Sequence, residues 1–159
     1  MILLADHDDS GSFGLVINKP IDLKLNDVIK DFPKFDAQVY IGGPVKTDSL
    51  FVLHTLGNKI ENSSKIIPGL YWGGDIDVIR SMIESKKIGR EEIRFYIGYS
   101  GWEPKQLDRE LEENSWVVSK AKSKQLLFDH PEDMWKNILI SLGREYAMWV
   151  NYPLDPMMN

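Results

Sequence analysis

A chain of 159 residues and 18.3 kDa is the size of one domain. With 43% hydrophobic and 27% charged residues it has the composition of a water-soluble globular protein, which excludes a disordered tail or a low-complexity linker. It has no cysteine, so disulfides, zinc–thiolate sites, iron–sulfur clusters and a cysteine nucleophile are excluded as well. Nineteen basic residues against 24 acidic ones leave a net charge of -5. That is the wrong sign for a dedicated nucleic-acid module, whose affinity comes from neutralising phosphates.

Ile2 to Ala5 reads as a short buried strand and Phe13 to Asn18 as its hairpin partner, with the turn formers Asp6 to Ser12 between them. Lys19-Pro20 ends the second strand. Leu25, Val28, Ile29 and Phe32 share one face of a short helix that Pro33 stops. Gln38–Ile41 and Leu50–Thr55 look like strands, separated by Gly42-Gly43-Pro44 and by the turn residues Lys46 to Asp48. Residues 57 to 69 read as a polar loop, and Tyr71-Trp72 as a brief extended piece.

Asp75 stands where a helix N-cap belongs, ahead of Ile76, Ile79, Met82 and Ile83 at helical spacing. Ile93 to Tyr99 alternates cleanly and is the plainest strand in the chain. Pro104 opens a helix carrying Leu107 and Leu111 and closing near Asn114. Trp116–Val118 and Gln125–Phe128 read as short strands. Asp129 and Pro131 announce a last helix with Met134, Trp135, Ile138, Leu139 and Leu142 on its apolar face and Gly143 at its end. The sum is a single mixed α+β domain of short strands with three or four helices.

Few constellations carry chemistry. Asp6-x-Asp8-x-Ser10-Gly11 matches half of a calcium loop, but Ile17 stands where a bidentate glutamate should close it. Ser100, in Gly98-Tyr-Ser-Gly-Trp102, sits between a strand and a helix like a nucleophile elbow, yet Trp102 replaces the required second glycine. Carboxylates at three expected helix starts (Asp75; Glu103; Asp129 with Glu132 and Asp133) satisfy amides that would otherwise attract phosphate. His54 has the parity of Leu50 and Val52, so it points inward with them. No stretch approaches the ~18 apolar residues of a membrane span. The start lacks the pattern of a secretory signal, so a cytoplasmic location is expected.

Several blocks together resemble one family. Gly14-Leu-Val-Ile-Asn-Lys-Pro20, Gly42-Gly-Pro44, Leu53-His54 and Gly98-Tyr-Ser-Gly-Trp102 with Gln106-Leu107 follow one another as in the AlgH/YqgE family. Glu113-Asn-Ser-Trp116 and Phe128 extend the likeness, which runs from Met1 to about Arg144, and the tail looks like that of Bacteroidetes-type members. The resemblance implies an α+β single domain over 1–159, with 144–159 an extended C-terminal tail. Its mixed or antiparallel bifurcated sheet would be curled into a partial barrel. It also implies a leading segment with one more strand, so that this chain begins inside the second element and leaves an exposed sheet edge, which favours pairing with another chain. Family members are often labelled transcriptional regulators by association with alginate control, and no catalytic residue comes with the likeness.

The positions that match its motifs are Asn18, Gly42, Gly43, Pro44, His54, Gly98, Tyr99, Gly101, Trp102, Gln106 and Trp116. All but Trp116 are taken as a candidate binding site, with no catalytic residue, metal or cofactor expected. The reading is a non-enzymatic regulatory protein that binds a protein or small ligand and touches transcription indirectly. Direct nucleic-acid binding and membrane association are not expected, and homo-oligomerisation is left open. The alternatives are a small-molecule enzyme with a pocket around His54 and the Gly42 and Gly98 turns, and a purely structural assembly subunit.

Overall fold

The structure is a computed structural model and describes residues 1–120 and 122–151. Its strands are β1 (Ile2–Asp8), β2 (Gly11–Val16), β3 (Pro20–Lys24), β4 (Gln38–Ile41), β5 (Val45–His54), β6 (Ser63–Ile67), β7 (Leu70–Gly73) and β8 (Ile93–Trp102). Its helices are α1 (Leu25–Val28), α2 (Ile76–Glu84), α3 (Gln106–Glu112), α4 (Ser123–Phe128), α5 (Pro131–Leu142) and α6 (Arg144–Ala147).

The alternation in β8 is not that of a strand with one wet face. Ile93 and Phe95 on one side and Tyr96 on the other are all buried, so β8 is central and packs on both faces. Along one edge it pairs antiparallel with β5, from His54↔Ile93 to Val45↔Tyr99. Its other edge is shared: β4 runs parallel to residues 95–97, and β2 runs antiparallel to residues 100–102. The sheet therefore forks at β8, with the main path β1-β2-β8-β5-β7-β6 and β3–β4 branching from it.

The fork sets a steric problem at Gly98. The chain leaves β4 on one edge of β8, at Ile41↔Ile97, and enters β5 on the other, at Val45↔Tyr99. Residues Gly42, Gly43 and Pro44 therefore cross the β8 backbone. A Cβ on Gly42 would lie 2.2 Å from the Gly98 carbonyl oxygen, and one on Gly43 would lie 2.2 Å from that of Tyr99. Gly98 itself has φ +69, and its Cβ would meet the Gly43 carbonyl at 2.4 Å. Only glycine fits.

The sheet curls until it nearly closes. Phe13 of β2 stacks on Trp72 of β7 at a centroid distance of 4.5 Å, although β8 and β5 separate those strands in the sheet, and β1 comes to lie against β6. The enclosed lumen holds Leu15, Ile17, Leu53, Leu70 and Tyr96 and is stopped at one end by Leu126 and Leu127 of α4 and Met134 of α5. The outer face of β4, β8 and β5 is covered by Leu25 of α1, Phe32 of the segment after it, and Ile79 and Ile83 of α2. β1 hydrogen-bonds to β2 alone among the described residues, so the edge expected to be open is open.

Several elements differ from the sequence reading. The first hairpin turns on Asp9-Ser10 only, because Asp8 bonds the Ser10 amide and hydroxyl and lets both strands run into the polar stretch. Pro20 begins β3, where a strand tolerates a residue without an N–H. β5 starts at Val45, through a bulge with Lys46 at φ 48. The segment read as a loop contains β6, which β7 pairs. Trp116–Val118 is not a strand, and Gln125–Phe128 belongs to α4, because neighbouring leucines 126 and 127 both find the lumen from a helix end. The helix expected to carry Phe32 ends at Val28 as α1, and with α4 and α6 unforeseen there are six α-helices among the described residues rather than three or four. The segment expected to begin a tail at 144 is helical as far as 151, and 152–159 lie outside the described residues.

The crossing makes Gly42→Ala, at a position with no conformational demand of its own, a purely steric insult. It is expected to cost more than ~3 kcal/mol or to prevent folding. Gly143→Ala, at φ +114 with nothing within 4 Å of its Cβ, is expected to cost only about 1–2 kcal/mol. Urea unfolding of the two variants checks the ranking.

Candidate functional site

A groove of about 600 Å³ opens over the tip of the β1–β2 hairpin, the end of β8 and the loop leading to α3. Tyr99, Gly101 and Trp102 line it, with Phe13 and Val45. Phe13 and Tyr99, 5.0 Å apart, belong to the aromatic stack that fills this end of the lumen. The crossing residues Gly42, Gly43 and Gly98 support the corner from beneath, and exposed Pro44 leads into Val45 at the rim. These six candidate positions, with Trp102, come together.

The groove walls are acidic. Asp6, Asp8 and Glu103 contribute to the lining, and no lysine or arginine does. Hydrogen bonds from the Ser10 hydroxyl and then its amide hold the Asp8 carboxyl below the usual range. His7 bridges the wall to α3, with Nδ1 2.7 Å from Ser12 Oγ and Nε2 3.5 Å from Asp108 Oδ1. Among the described residues no group of three or more such side chains is arranged to hold a metal ion.

Trp102 is fixed by a residue that the sequence reading passed over. Glu110 Oε2 accepts from Trp102 Nε1 at 3.0 Å and from Trp116 Nε1 at 2.7 Å, while Oε1 accepts from Gln106 Nε2 at 2.8 Å. These donors, Trp116 first, hold its carboxyl below the ordinary value. Gln106 in turn accepts from the Glu103 amide at 3.0 Å. Gln106 and Trp102 thus shape the groove's shoulder. The signal available was the i, i+4 pair Gln106–Glu110 on one helix face.

Two candidate positions do not join the groove. Asn18 Oδ1 accepts from the Met1 amino group at 2.9 Å, beside the β4 edge. His54 pairs with Ile93, five residues along β8 from Gly98 and thus roughly 16 Å away. The pocket that would group His54 with the Gly42 and Gly98 turns does not form. His54 is fully buried, its Nδ1 accepts from the Leu56 amide at 3.2 Å, and its Nε2 lies 3.0 Å from Ser63 Oγ. The Ser63 hydroxyl is committed to the Ile60 carbonyl, so Nε2 carries the proton and donates. The ring is a neutral bracket between β5 and β6, stacked on Tyr71.

Ser100 is buried and donates to the Gly42 carbonyl at 3.3 Å, a structural bond. Of the three helix starts expected to be closed by carboxylate side chains, only that of α2 is, where Asp75 accepts from the Asp77 and Val78 amides. At α3 the cap position is Lys105 in a left-handed conformation, and Gln106 rather than Glu103 supplies the side-chain bond. At α5 the cap is His130, with Glu132 and Asp133 in the first turn.

Burial lowers the His54 pKa from 6.5 to about 4. Between those values the unfolded chain binds a proton that the folded chain refuses, so stability falls as pH is lowered through the window. The loss is about 3 kcal/mol by pH 4. Unfolding free energies measured against pH should show this fall, and His54→Gln should flatten it.

The profile of the AlgH-like family matches residues 1–147. UPF0301 proteins of Bacteroides thetaiotaomicron and Cytophaga hutchinsonii are 45% and 39% identical over the whole chain, which covers 81% and 88% of their lengths. The solution structure of the AlgH protein from Pseudomonas aeruginosa superposes with a TM-score of 0.76 at 30% identity, over 97% of this chain and 84% of that one. Protein DIP2367 of Corynebacterium diphtheriae, at 20% identity and the same TM-score, covers 95% of this chain and shares the fold. The chain belongs to the AlgH-like family.

Proposed function

We propose that the protein is a cytoplasmic, non-enzymatic binding protein that holds a cationic segment of a partner protein in the acidic groove. Any influence on transcription passes through that partner and not through DNA. The observation that carries this reading is the groove's lining: three carboxylates, no lysine or arginine, and the faces or edges of Phe13, Tyr99 and Trp102. Carboxylates pair with lysine and arginine heads, and aromatic rings attract the same cations through their negative faces. A phosphate backbone meets the reverse, since the groove and the net charge of -5 repel it. The enzyme reading loses its support because its base, His54, is sealed in packing with both ring nitrogens engaged.

The test compares two labelled probes by fluorescence anisotropy at low salt, an arginine-rich peptide and a DNA duplex. The peptide is expected to bind, to weaken with added salt, and to lose about tenfold in affinity when Asp6→Asn, Asp8→Asn and Glu103→Gln are combined. Tight, salt-sensitive binding of the duplex would overturn the proposal. So would peptide binding indifferent to the three substitutions.

A further inference from the structure

Helix α4 is held on the barrel by one polar side chain. Arg94, on the lumen face of β8, donates from Nη1 to the Leu126 carbonyl at 2.9 Å. Its Nη2 donates to the carbonyls of Leu127 and Asp129 at 2.9 and 3.2 Å. A cation at a helix C-terminus suits the dipole. Yet all three acceptors are neutral backbone carbonyls, and Arg94 makes no ion pair with a carboxylate among the described residues. It is a guanidinium without a counter-ion.

The hydroxyl of Tyr96, next along the same face, is fully buried and has no hydrogen-bond partner. Burial holds this phenol well above its ordinary range, while the neighbouring Arg94 acts in the opposite sense. Two donors thus sit side by side, the Tyr96 hydroxyl approached only by the Arg94 guanidinium and neither facing an anion among the described residues, and buried polar groups are rarely left so. Around them the chamber is apolar: Leu15, Leu53, Leu70 and Tyr40, whose ring lies 5.0 Å from the guanidinium carbon. Helix α4 fills it with the two aliphatic side chains of Leu126 and Leu127.

The segment leading into α4 is loosely attached. Residues 113–120, which lead to it from α3, are exposed except for Ser119. Among the described residues no backbone hydrogen bond ties 116–120 to the barrel. Displacing α4 would break no strand pair, only the three Arg94 bonds and the packing of Leu126 and Leu127.

We propose that α4 is a displaceable plug, and that the chamber it closes is a binding site for an amphipathic carboxylate of the medium-chain fatty acid type. The head accepts from Arg94, which gives up the α4 carbonyls, and from the Tyr96 hydroxyl. The alkyl chain takes the place of Leu126 and Leu127. An anionic head is required because Arg94 gains a counter-ion only then, and guanidinium and carboxylate match as planar, bidentate partners. An aliphatic tail is required because the plug itself puts two aliphatic side chains there.

The experiment titrates the full chain with decanoate and, in parallel, with decanol, by calorimetry, and follows amide hydrogen exchange. Decanoate is expected to bind saturably at one per chain, decanol about tenfold more weakly. Exchange should rise in α4 on binding while that of β8 stays unchanged. Arg94→Gln should cost decanoate about tenfold or more in affinity. Tyr96→Phe removes only the unpartnered hydroxyl, so it should keep the fold and still weaken decanoate about threefold. If Arg94→Gln does not fold, Tyr96→Phe alone decides. No saturable binding, equal affinity for decanol, binding unchanged in Tyr96→Phe, or binding without increased exchange in α4 would each overturn the proposal.

Discussion

The passage of Gly42 and Gly43 over Gly98 is the constraint on which the rest of the molecule depends. β4 at residues 95–97 and β2 at residues 100–102 share one edge of β8 while β5 holds the other, and the chain can pass from β4 to β5 only because a linker crosses the strand at van der Waals range. The left-handed φ of Gly98 does a second thing. Before it, Ile93, Phe95 and Ile97 face the helices while Tyr96 faces the lumen; after it, Tyr99 also packs in the lumen, against Phe13 and Phe51. One glycine turns the strand over. Without that turn the aromatic floor of the groove would point at α2.

The curl of the sheet then separates two environments along one lumen. At the groove end carboxylates gather, and two are held in place by local donors: the Ser10 hydroxyl and amide for Asp8, and the indoles with Gln106 for Glu110 on the shoulder. At the other end, among the described residues, Arg94 faces inward and donates to the carbonyls at the end of α4. The aromatic stack of Phe13, Phe51, Trp72 and Tyr99 lies between. Its dispersion contacts and buried area give rigidity to the wall that both ends share.

Much of this was legible in the sequence wherever local rules and tertiary packing agree. Asp75 caps α2 as its position promised, and Gln38–Ile41 is a strand with the expected bounds. His54 faces inward, as its parity with Val52 required. The reading failed where a short apolar run has no period of its own. Trp116–Val118 lacks a partner strand and Leu126-Leu127 lies on a helix, and three or four residues cannot announce either fate. The groove was hidden for another reason. Asp6 to Ser12 carries turn chemistry, so it reads as a loop, yet most of it is strand and forms the acidic wall. Residue type alone does not show that a polar hairpin tip will fold beside Trp102, and although Gln106 marks Glu110 one turn away on α3, nothing in the sequence shows that the chain beyond α3 brings Trp116 back to it.

The family blocks can now be divided by what holds each in place. Gly42, Gly43 and Gly98 are accounted for by the crossing, and Ser100 by its bond to the Gly42 carbonyl. His54 is accounted for by the bracket it forms from Leu56 to Ser63, and Gln106, Trp102 and Trp116 by the carboxylate of Glu110. Each of these would be demanded by folding alone, so their presence in a shared pattern says nothing about chemistry. Tyr99 and Gly101 are different. The Tyr99 ring closes the floor of the groove, and Gly101 is exposed where a Cβ would press on that same ring at 2.9 Å. A folding requirement does not by itself ask for an open aromatic face under a wall of carboxylates. The cation site proposed above does, and it lies at that end of β8 rather than at His54 of β5.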